Sequence, residues 1–356
     1  MEPKYQWVAD VLRREIASGI FRDGQALLTE LELKERFGVS RQTIRQAISL
    51  LEGDGLVCRR RGSGTYVTHG PRKHGSVLNV AVVTTYITDY IFPSIVRGIE
   101  SVLSTQNCIM SLSATYNSVE RERALLRRLL ETPVDGLIVE GTQTALPNPN
   151  IGLYEKLRER NIPFVFINGY YPELSQAVHV VTDDEAGGFQ AAEILLEAGL
   201  TRLGGIFKSD DMQGHMRHQG FEKALKAHGL CAAPENVCWF TTENKPRFLL
   251  EEPGLSFLRD VSCHLDGLVC YNDEVALRTL EHLAQIGLQV PRDLSLVSFD
   301  NSAYAGICSP KLTSLSHPKE TFGQEAAAKL LKMMQGYREE STMLGWELVR
   351  RESVRG

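Results

Sequence analysis

Short apolar runs alternate along most of this chain with longer segments whose apolar positions recur at helical spacing. The runs have the length of β-strands and cover positions 77–84, 108–114, 136–139, 164–167, 203–207, 267–270 and 294–299. Between them, positions three and four apart fall on one helix face, as with Leu125, Leu126, Leu129 and Leu130. This alternation over about 280 residues predicts parallel sheets with helices on both faces.

The beginning of the chain follows a different pattern, which predicts three short helices. An apolar face predicts a first helix over positions 3–18, which Gly19 ends. Thr29 and Glu32 have the spacing of a capping box, so a second helix is expected to begin there and to end near Gly38.

A third helix is predicted after this turn, because Ser40 is a suitable N-cap and the residues after it keep helical spacing. Its inward stripe consists of Ile44, Ala47, Ile48 and Leu51. Arg41, Gln42 and Arg45 then share the outward face. In a helix-turn-helix the second helix of the motif points its first residues at base edges, where arginine pairs with guanine and glutamine with adenine. We therefore predict that this recognition helix reads DNA.

Two short β-prone runs follow the recognition helix and flank a basic, glycine-rich turn, which predicts a two-stranded wing. A run of arginines alone is usually a solvated surface, but this run follows three helices with defined caps. The turn is therefore expected to contact phosphates or the minor groove. The predicted DNA contacts are Thr29, Glu30, Ser40, Arg41, Gln42, Thr43, Arg45, Arg59, Arg60, Arg61, Gly62, Ser63 and Gly64.

These residues resemble the winged helix of the GntR family, and the resemblance covers nearly all of residues 3–68. The segments that carry it are 38–45, 51–52, 55–57 and 62–65. Leu28 stands where that family usually has proline, and Leu31 stands where it usually has a polar residue that faces DNA. The resemblance therefore implies that Leu31 makes no polar contact and that specificity depends on the recognition helix.

The balance of basic and acidic residues changes near the end of this predicted winged helix, which is called the head below. Residues 1–76 contain 13 Lys and Arg against 9 Asp and Glu, whereas the remainder contains 26 against 35. A basic head on an acidic body indicates a part that binds a polyanion. The glycines, proline and basic residues at 70–76 lack apolar periodicity and predict a linker. We therefore expect a DNA-binding domain at 1–69, this linker, and an effector-binding and dimerisation domain at 77–356.

Composition predicts a folded protein of the cytoplasm. Hydrophobic residues make up 43% and charged residues 23% of the chain, as in globular proteins, which argues against disorder. No segment has the pattern of a secretory signal and no run of 18 apolar residues occurs, so neither secretion nor membrane spanning is expected. The seven cysteines include no C-x-x-C pair and lie mostly inside apolar runs, so they are expected to be buried thiols in a reducing cytoplasm.

Charged and amide side chains directly follow several predicted strands of the second domain. In parallel sheets, ligands bind at the carboxyl ends of the strands. A sugar presents hydroxyls and apolar ring faces, so its site needs polar side chains and an aromatic wall. The candidates from this argument are Glu140, Lys208, Asn272 and Asp300, with Asp89, Tyr90 and Phe92 as the wall. Each alone could instead be a loop polar group, a helix cap or a surface charge, but their joint placement favours a site.

The second domain resembles the core of LacI-type repressors, which is similar to a periplasmic sugar-binding protein. The segments that carry this resemblance are 180–187, 217–221, 272–276 and 287–300. It implies an α/β periplasmic-binding-protein-like domain of two parallel-sheet lobes. It also implies that Asp183, Arg217, Asn272 and Asp300 touch the effector, although Asp183 could be only the N-cap of the next helix. The residues that depart from the family pattern are Asp184, Arg278 and Ser298.

A GntR-type head on a LacI-type body is an uncommon pairing, and it resembles the L-arabinose-responsive repressors of Gram-positive bacteria. The segments that carry this closer resemblance are 84–94, 205–211, 270–273 and 312–319. It implies a homodimeric repressor that binds pseudo-palindromic operator DNA and is released by L-arabinose. The residues by themselves indicate only a polyol site, so another sugar, a sugar phosphate or a purine stays open as the effector.

An enzyme is the alternative from another class, because doubly wound folds also carry many catalysts. The chain has no G-x-G-x-x-G after a strand, no G-x-x-x-x-G-K-[ST] loop and no H-E-x-x-H. His215 and His218 could share a helix face as metal ligands, but no cysteine or carboxylate pattern accompanies them. We therefore expect a regulator with no catalytic residue, no cofactor and no metal.

Overall fold

The computed structural model of the chain describes residues 3–17, 20–21, 24–53, 56–60, 64–67, 77–88, 90–245, 247, 251 and 254–356. By their contacts, the residues form two compact units, Met1–Val77 and Leu78–Gly356, called unit 1 and unit 2 below. The predicted linker at 70–76 lies outside the described residues. Within the described part of the chain, no helix combines the length and the apolar character that crossing a bilayer requires.

The described residues of unit 1 form three helices and a two-stranded antiparallel wing. Its elements are α1 (Lys4–Ala17), α2 (Glu30–Phe37), α3 (Arg41–Gly53), β1 (Val57–Arg60) and β2 (Gly64–Val67). The predicted capping box forms at the start of α2, where Thr29 and Glu32 each accept a hydrogen bond from the other's backbone N–H. Gly38 then ends α2 with a φ of 64°, in the left-handed region that favours glycine.

One hydrophobic core holds the helices and the wing of unit 1 together. The predicted inward stripe of α3 is buried at Ile44, Ala47, Ile48 and Leu51. Leu33 of α2 packs into the same cluster, together with residues of α1 and of both wing strands. The predicted winged helix-turn-helix is therefore confirmed.

In unit 2 the described residues form two lobes, each built on a six-stranded sheet. Its strands are β3 (Leu78–Thr84), β4 (Cys108–Ala114), β5 (Gly136–Glu140), β6 (Phe164–Ile167), β7 (His179–Thr182), β8 (Leu203–Lys208), β9 (Val237–Phe240), β10 (Gly267–Cys270), β11 (Ser295–Phe299), β12 (Thr313–Ser316), β13 (Thr342–Leu344) and β14 (Glu347–Val349). The strand order is β13-β7-β6-β5-β3-β4 in lobe 1 and β14-β12-β11-β10-β8-β9 in lobe 2. Neighbouring strands pair parallel, except β12 with β14. All seven predicted strands are present, and five further strands join them.

Helices cover the sheets of both lobes, as the alternating pattern predicted. They are α4 (Phe92–Leu103), α5 (Val119–Glu131), α6 (Ile151–Glu159), α7 (Asp184–Glu197), α8 (Met212–Ala227), α9 (Gly254–Val261), α10 (Asp273–Gln285), α11 (Ala303–Ile307) and α12 (Lys319–Met334). In lobe 1, α4 and α12 pack on one side of the sheet and α5 and α6 on the other. In lobe 2, α7 and α8 pack opposite α9 and α10. The strands lie between helix layers, which explains why β5 and β11 are buried at every residue.

The chain passes between the two lobes three times. It crosses between β7 and α7, between β12 and α12, and between β13 and β14. The backbone N–H of Asp183 donates to the carbonyl of Leu344 at 2.8 Å, so the first and third crossings are joined by a hydrogen bond. Consequently α12 and β13 belong to lobe 1 although they follow most of lobe 2 in the sequence.

Among the helices that the structure describes, one pair in each lobe meets through two glycines. The glycines are Gly98 of α4 and Gly323 of α12 in lobe 1, and Gly188 of α7 and Gly220 of α8 in lobe 2. A Cβ added at any of the four would lie only 1.9 to 2.1 Å from a carbonyl oxygen of the partner helix. At Gly188 that oxygen belongs to Arg217. Glycine is therefore required at these positions for the helices to approach so closely.

Candidate DNA-binding surface and effector cavity

The recognition helix α3 exposes the polar side chains that the sequence predicted on its outward face. Arg41 and Gln42 are exposed, and 64% of the Arg45 side chain is accessible. The Nε of Arg45 lies 3.0 and 2.9 Å from the two carboxylate oxygens of Glu30, at the start of α2. The structure thus brings together two predicted DNA contacts that are far apart in the sequence.

Two other predicted contacts, Thr29 and Ser40, cap helices. The Thr29 hydroxyl accepts a hydrogen bond from the Glu32 N–H at 3.3 Å. The Ser40 hydroxyl accepts one from the Thr43 N–H at 3.1 Å and lies 2.8 Å from the Thr43 hydroxyl. These bonds satisfy amide groups at the first turns of α2 and α3, which otherwise have no partner in the helix. Contact between these side chains and DNA stays a prediction.

The wing is attached to the recognition helix through Arg59. Its guanidinium donates to the Ser49 hydroxyl at 3.3 Å, and its Nε lies 3.5 Å from the Glu52 carboxylate. Arg60 ends β1, and Gly64 opens β2 with a φ of 121°. The predicted contacts Arg61, Gly62 and Ser63 lie outside the described residues, so their role is unchanged as a prediction.

In unit 2, a cavity of about 560 Å³ lies between the lobes, where the carboxyl ends of strands from both sheets meet. This volume falls in the range of about 300 to 1,000 Å³ that is usual for small-molecule sites. Seven of the nine predicted effector residues line the cavity, namely Tyr90, Phe92, Glu140, Lys208, Arg217, Asn272 and Asp300. Six of these seven were predicted from their position at strand ends and Arg217 from the family resemblance, and contact of all seven with an effector stays a prediction.

Asp183 is the exception among the described candidates, and its contact with the effector stays a prediction. Asp183 lies outside the cavity lining, and its carboxylate accepts a hydrogen bond from the Ala186 N–H at 3.0 Å and caps α7. The adjacent Asp184 is the acidic residue that connects to the cavity, through its ion pair with Arg217. The other predicted residue, Asp89, lies outside the described residues.

Arg217 is buried at one side of the cavity, with 2% of its surface exposed. Its Nε donates to Asp184 at 2.9 Å and one terminal nitrogen donates to the Tyr271 carbonyl at 2.5 Å. The other terminal nitrogen lies 3.9 Å from the Asp300 carboxylate. Burial alone would lower the pKa of Arg217, but Asp184 and Asp300 outweigh it and raise the pKa above its usual value. The guanidinium carbon lies 4.3 to 5.1 Å from the ring centres of Phe299, Tyr271 and Trp346.

The cations that line the cavity are paired with carboxylates of the protein. Lys208 Nζ lies 2.9 Å from Asp211 and 3.5 Å from Asp210. Burial opposes the Lys208 charge, but these two carboxylates outweigh burial and raise its pKa. The remaining pairs are Lys245 with Glu274 and Arg278 with Glu281. Within the described lining, every lysine and arginine therefore has an acidic partner.

Glu140 supplies a buried carboxylate from the end of β5. One of its oxygens accepts hydrogen bonds from the Thr85 N–H at 2.6 Å and the Thr85 hydroxyl at 2.5 Å. The other oxygen accepts from the Asn168 amide at 3.0 Å. Burial raises the pKa of Glu140, and these hydrogen bonds partly oppose that rise. Its lone pairs that remain unused can accept hydrogen bonds from ligand hydroxyls.

Asp300 and Asn272 face the cavity from the ends of neighbouring strands. Asp300 has a φ of 89°, in the left-handed region where residues other than glycine are strained. Burial raises the pKa of Asp300, and Arg217 opposes that rise. Asn272 caps α10 by accepting a hydrogen bond from the Val275 N–H at 3.0 Å. Its amide nitrogen has no hydrogen-bond partner among the described residues, which leaves a donor for a ligand.

Aromatic rings form the apolar part of the cavity wall. Phe92 and Tyr86 lie with their ring centres 5.9 Å apart, and Tyr90 stacks on Tyr304 at 6.2 Å. The Tyr90 hydroxyl also donates to the Phe299 carbonyl at 3.2 Å and accepts from the Asp273 N–H at 3.0 Å. Tyr90 comes from lobe 1 and these partners belong to lobe 2. It therefore both lines the cavity and joins the lobes.

Several lining residues were not predicted from the sequence. They include Thr85, Tyr86, Asn117, Thr144, Asn168, Asp211, Tyr271, Tyr304 and His317. Asn168 and Tyr271 directly follow β6 and β10, so their position at the ends of strands is the signal that could have identified them. Asn117 and Thr144 lie farther along their loops, where no sequence pattern marks them. Both join the lobes, because the Asn117 amide donates to the Thr242 hydroxyl at 2.6 Å and the Thr144 hydroxyl accepts from the Met212 N–H at 3.0 Å.

Two family descriptions match the two units. Residues 4–67 match "Bacterial regulatory proteins, gntR family", and residues 192–354 match "Periplasmic binding protein-like domain". A solved structure described as "transcriptional regulator CelR-cellobiose complex" is similar with a TM-score of 0.68 and 26% identity, covering 88% of this chain and 91% of that chain. The fold and the matches define a transcription regulator with a GntR-type winged helix and a LacI-type body.

Two known proteins are similar along nearly the whole chain, and both are described as "Arabinose metabolism transcriptional repressor". The protein of Halalkalibacterium halodurans is 37% identical over 350 residues, covering 97% of this chain and 93% of its own. The protein of Geobacillus stearothermophilus is 39% identical over 334 residues, covering 94% and 92%. The chain belongs to the family of the arabinose metabolism transcriptional repressors.

Proposed function

We propose that the protein represses transcription by binding operator DNA through unit 1, and that L-arabinose bound in the cavity of unit 2 releases it. The observation that carries the proposal is the cavity, which is lined by Glu140, Asn272, Asp300 and aromatic rings in a chain that also has a winged helix. Membership of the family supports L-arabinose as the effector.

The charges of the cavity favour a neutral polyol over a sugar phosphate. Each lining cation already has a carboxylate partner, so a phosphate would find no unpaired cation among the described lining residues. The carboxylates of Glu140 and Asp300 can accept hydrogen bonds from hydroxyls, and the Asn272 amide can donate one. The rings of Phe92 and Tyr90 offer apolar surface to the C–H faces of a sugar.

The position of the cavity between the lobes supports the proposed release from DNA. A sugar that touches both lobes stabilises the lobe arrangement in which these contacts form. It can shift the protein between states only by its difference in affinity for them, and such couplings are typically about 1 to 3 kcal/mol. By the same coupling, operator DNA weakens the binding of the sugar by an equal factor.

Isothermal titration of the full chain is expected to show selective binding of L-arabinose over D-xylose, D-galactose, D-ribose and D-ribose 5-phosphate. Asp300→Asn should weaken L-arabinose binding about tenfold or more, because it removes a charged acceptor. Asparagine tolerates the positive φ of this position, so the fold is preserved. The matched control is Asp293→Asn, at an acidic residue outside the cavity lining. Binding of ribose 5-phosphate alone would contradict the proposed effector.

We also propose that the repressor is a homodimer that uses the surface around α11. Ile307 at the end of α11 is 77% exposed, the largest exposed fraction of any large hydrophobic residue that the structure describes. The interfaces of homodimers bury apolar side chains of this kind. A two-fold dimer would present two recognition helices, which suits the pseudo-palindromic operators of such regulators.

Ile307→Arg is expected to convert the dimer into a monomer, because it buries a charge in the proposed contact. Sedimentation velocity of the full chain measures the change, and operator affinity should fall with it. Met343→Arg is the matched control, since Met343 is also 62% exposed but lies on β13 at the far edge of lobe 1. A monomeric wild-type protein, or an Ile307→Arg variant that stays dimeric, would exclude this surface.

A further inference from the structure

An exposed ion pair connects the first turn of α2 to the recognition helix. Glu30 and Arg45 are fifteen residues apart, and their side chains are 30% and 64% exposed. Exposed pairs of this kind contribute little to stability, because water screens the charges and two long side chains must be held in place. The pair lies on the outward face of α3, beside Arg41 and Gln42. Because this face is the one predicted to read DNA bases, the geometry of the pair determines which groups of Arg45 can contact a base.

The carboxylate of Glu30 engages one particular nitrogen of Arg45. Both of its oxygens lie about 3 Å from Nε, at 3.0 and 2.9 Å. The two terminal nitrogens of Arg45 have no partner in the part of the chain that the structure describes. Arginine recognises guanine by directing two N–H groups at O6 and N7 in the major groove. With Nε occupied, the two terminal nitrogens form the pair that is left for this task.

We propose that Glu30 is a positioning residue for base recognition: it holds Arg45 so that the terminal nitrogens meet a guanine, and it does not read a base itself. The inference rests on the proposed function, because it requires that α3 enters the major groove. A carboxylate can also read cytosine directly by accepting a hydrogen bond from N4. Here both carboxylate oxygens are already used by Arg45, which argues for the indirect role. The negative charge of Glu30 also repels phosphates, so it opposes binding that does not depend on sequence.

A structural role for Glu30 makes a different prediction. Glu30 is the first residue of α2, where a negative charge interacts favourably with the helix dipole. If that were its whole contribution, removing the charge would lower the melting temperature slightly and would leave the base preference unchanged. Base preference and melting temperature therefore have to be measured on the same variants.

The experiment uses the full chain and a library of DNA duplexes with a randomised centre, sequenced before and after binding. The variants are Arg45→Ala, Glu30→Ala and Glu30→Gln, and Glu35→Ala is the matched control at another exposed glutamate of α2. Arg45→Ala should remove the preference for one guanine in each half-site. Glu30→Ala should weaken the preference at that same guanine about tenfold and leave other positions unchanged. Glu30→Gln should fall between, because an amide oxygen still accepts from Nε.

Three results would overturn the proposal. Loss of a cytosine preference at a different position in Glu30→Ala would make Glu30 a direct reader. Equal weakening at all positions together with a lower melting temperature would make its role structural. An unchanged preference would remove it from recognition altogether. A wild-type protein that enriches no sequence would overturn the DNA-binding function itself, and this result is visible before any variant is compared.

Discussion

Gly188→Ala is expected to lower the free energy of unfolding of unit 2 by about 3 kcal/mol and to weaken L-arabinose binding. The added Cβ would lie 1.9 Å from the carbonyl oxygen of Arg217, which is far inside van der Waals contact, so α7 and α8 would have to separate. These helices carry Asp184 and Arg217, and separation would disturb the ion pair that holds the guanidinium at the cavity. Calorimetry and sugar titration of the same preparation measure both effects.

Gly152→Ala provides the matched control for this substitution. Gly152 also lies within a helix, α6, but no atom outside the local helix lies within 4 Å of its added Cβ. Alanine is favoured over glycine within helices by about 1 kcal/mol, so this variant should be as stable as the wild type or slightly more stable. If Gly188→Ala behaved in the same way, the close contact between α7 and α8 would be refuted.

Arg217→Met is expected to abolish measurable sugar binding and to lower the free energy of unfolding of unit 2 by about 3 to 5 kcal/mol. Methionine fills much of the volume but leaves the Asp184 carboxylate buried without its cation. Operator binding should remain at temperatures where the variant is folded, but L-arabinose should no longer reduce it. Fluorescence anisotropy with labelled operator, with and without sugar, separates these two properties.

The double variant Arg217→Met, Asp184→Leu distinguishes stability from recognition. Removing both charges should restore much of the lost stability, because a buried ion pair can often be replaced by apolar residues. Sugar binding should stay absent. Arg278→Met is a further control, since Arg278 also lines the cavity but pairs with Glu281 at the surface and should contribute less than about 1 kcal/mol to stability. Wild-type sugar affinity in Arg217→Met would contradict the proposed site.

Most of the cavity was predictable because parallel strands end at a common edge. Glu140, Lys208 and Asp300 follow runs so apolar that each run could only be a buried strand. β12 was not predicted, because its sequence Thr-Ser-Leu-Ser contains no apolar run. It nevertheless lies within the sheet, between the parallel strand β11 and the antiparallel strand β14. His317 directly after β12 was missed because this strand was not predicted. Burial, then Lys319 and Arg217, lower the pKa of this histidine to about 3, so it lines the cavity as a neutral imidazole.

Residues that act across helices or lobes were beyond the reach of local patterns. Asp183, which caps α7, and Asp184, which pairs with Arg217, are adjacent and both acidic. The sequence alone therefore does not distinguish their roles. Which of them turns toward Arg217 depends on where the helix begins and on how α8 packs against it. The link between Glu30 and Arg45 depends similarly on how α2 and α3 pack together.

The three crossings between the lobes determine the order in which a nascent chain can complete its parts. Unit 1 has all its core residues within the first 77 positions, so it can fold soon after it leaves the ribosome. Lobe 1 needs α12, whose Phe322, Ala326 and Leu330 are buried in its core, and therefore waits for nearly the entire chain. If translation ended before α12, the released fragment would contain a unit 1 that can fold and a unit 2 whose lobe 1 cannot be completed. Such a fragment would keep the DNA-binding unit without the part that responds to the effector.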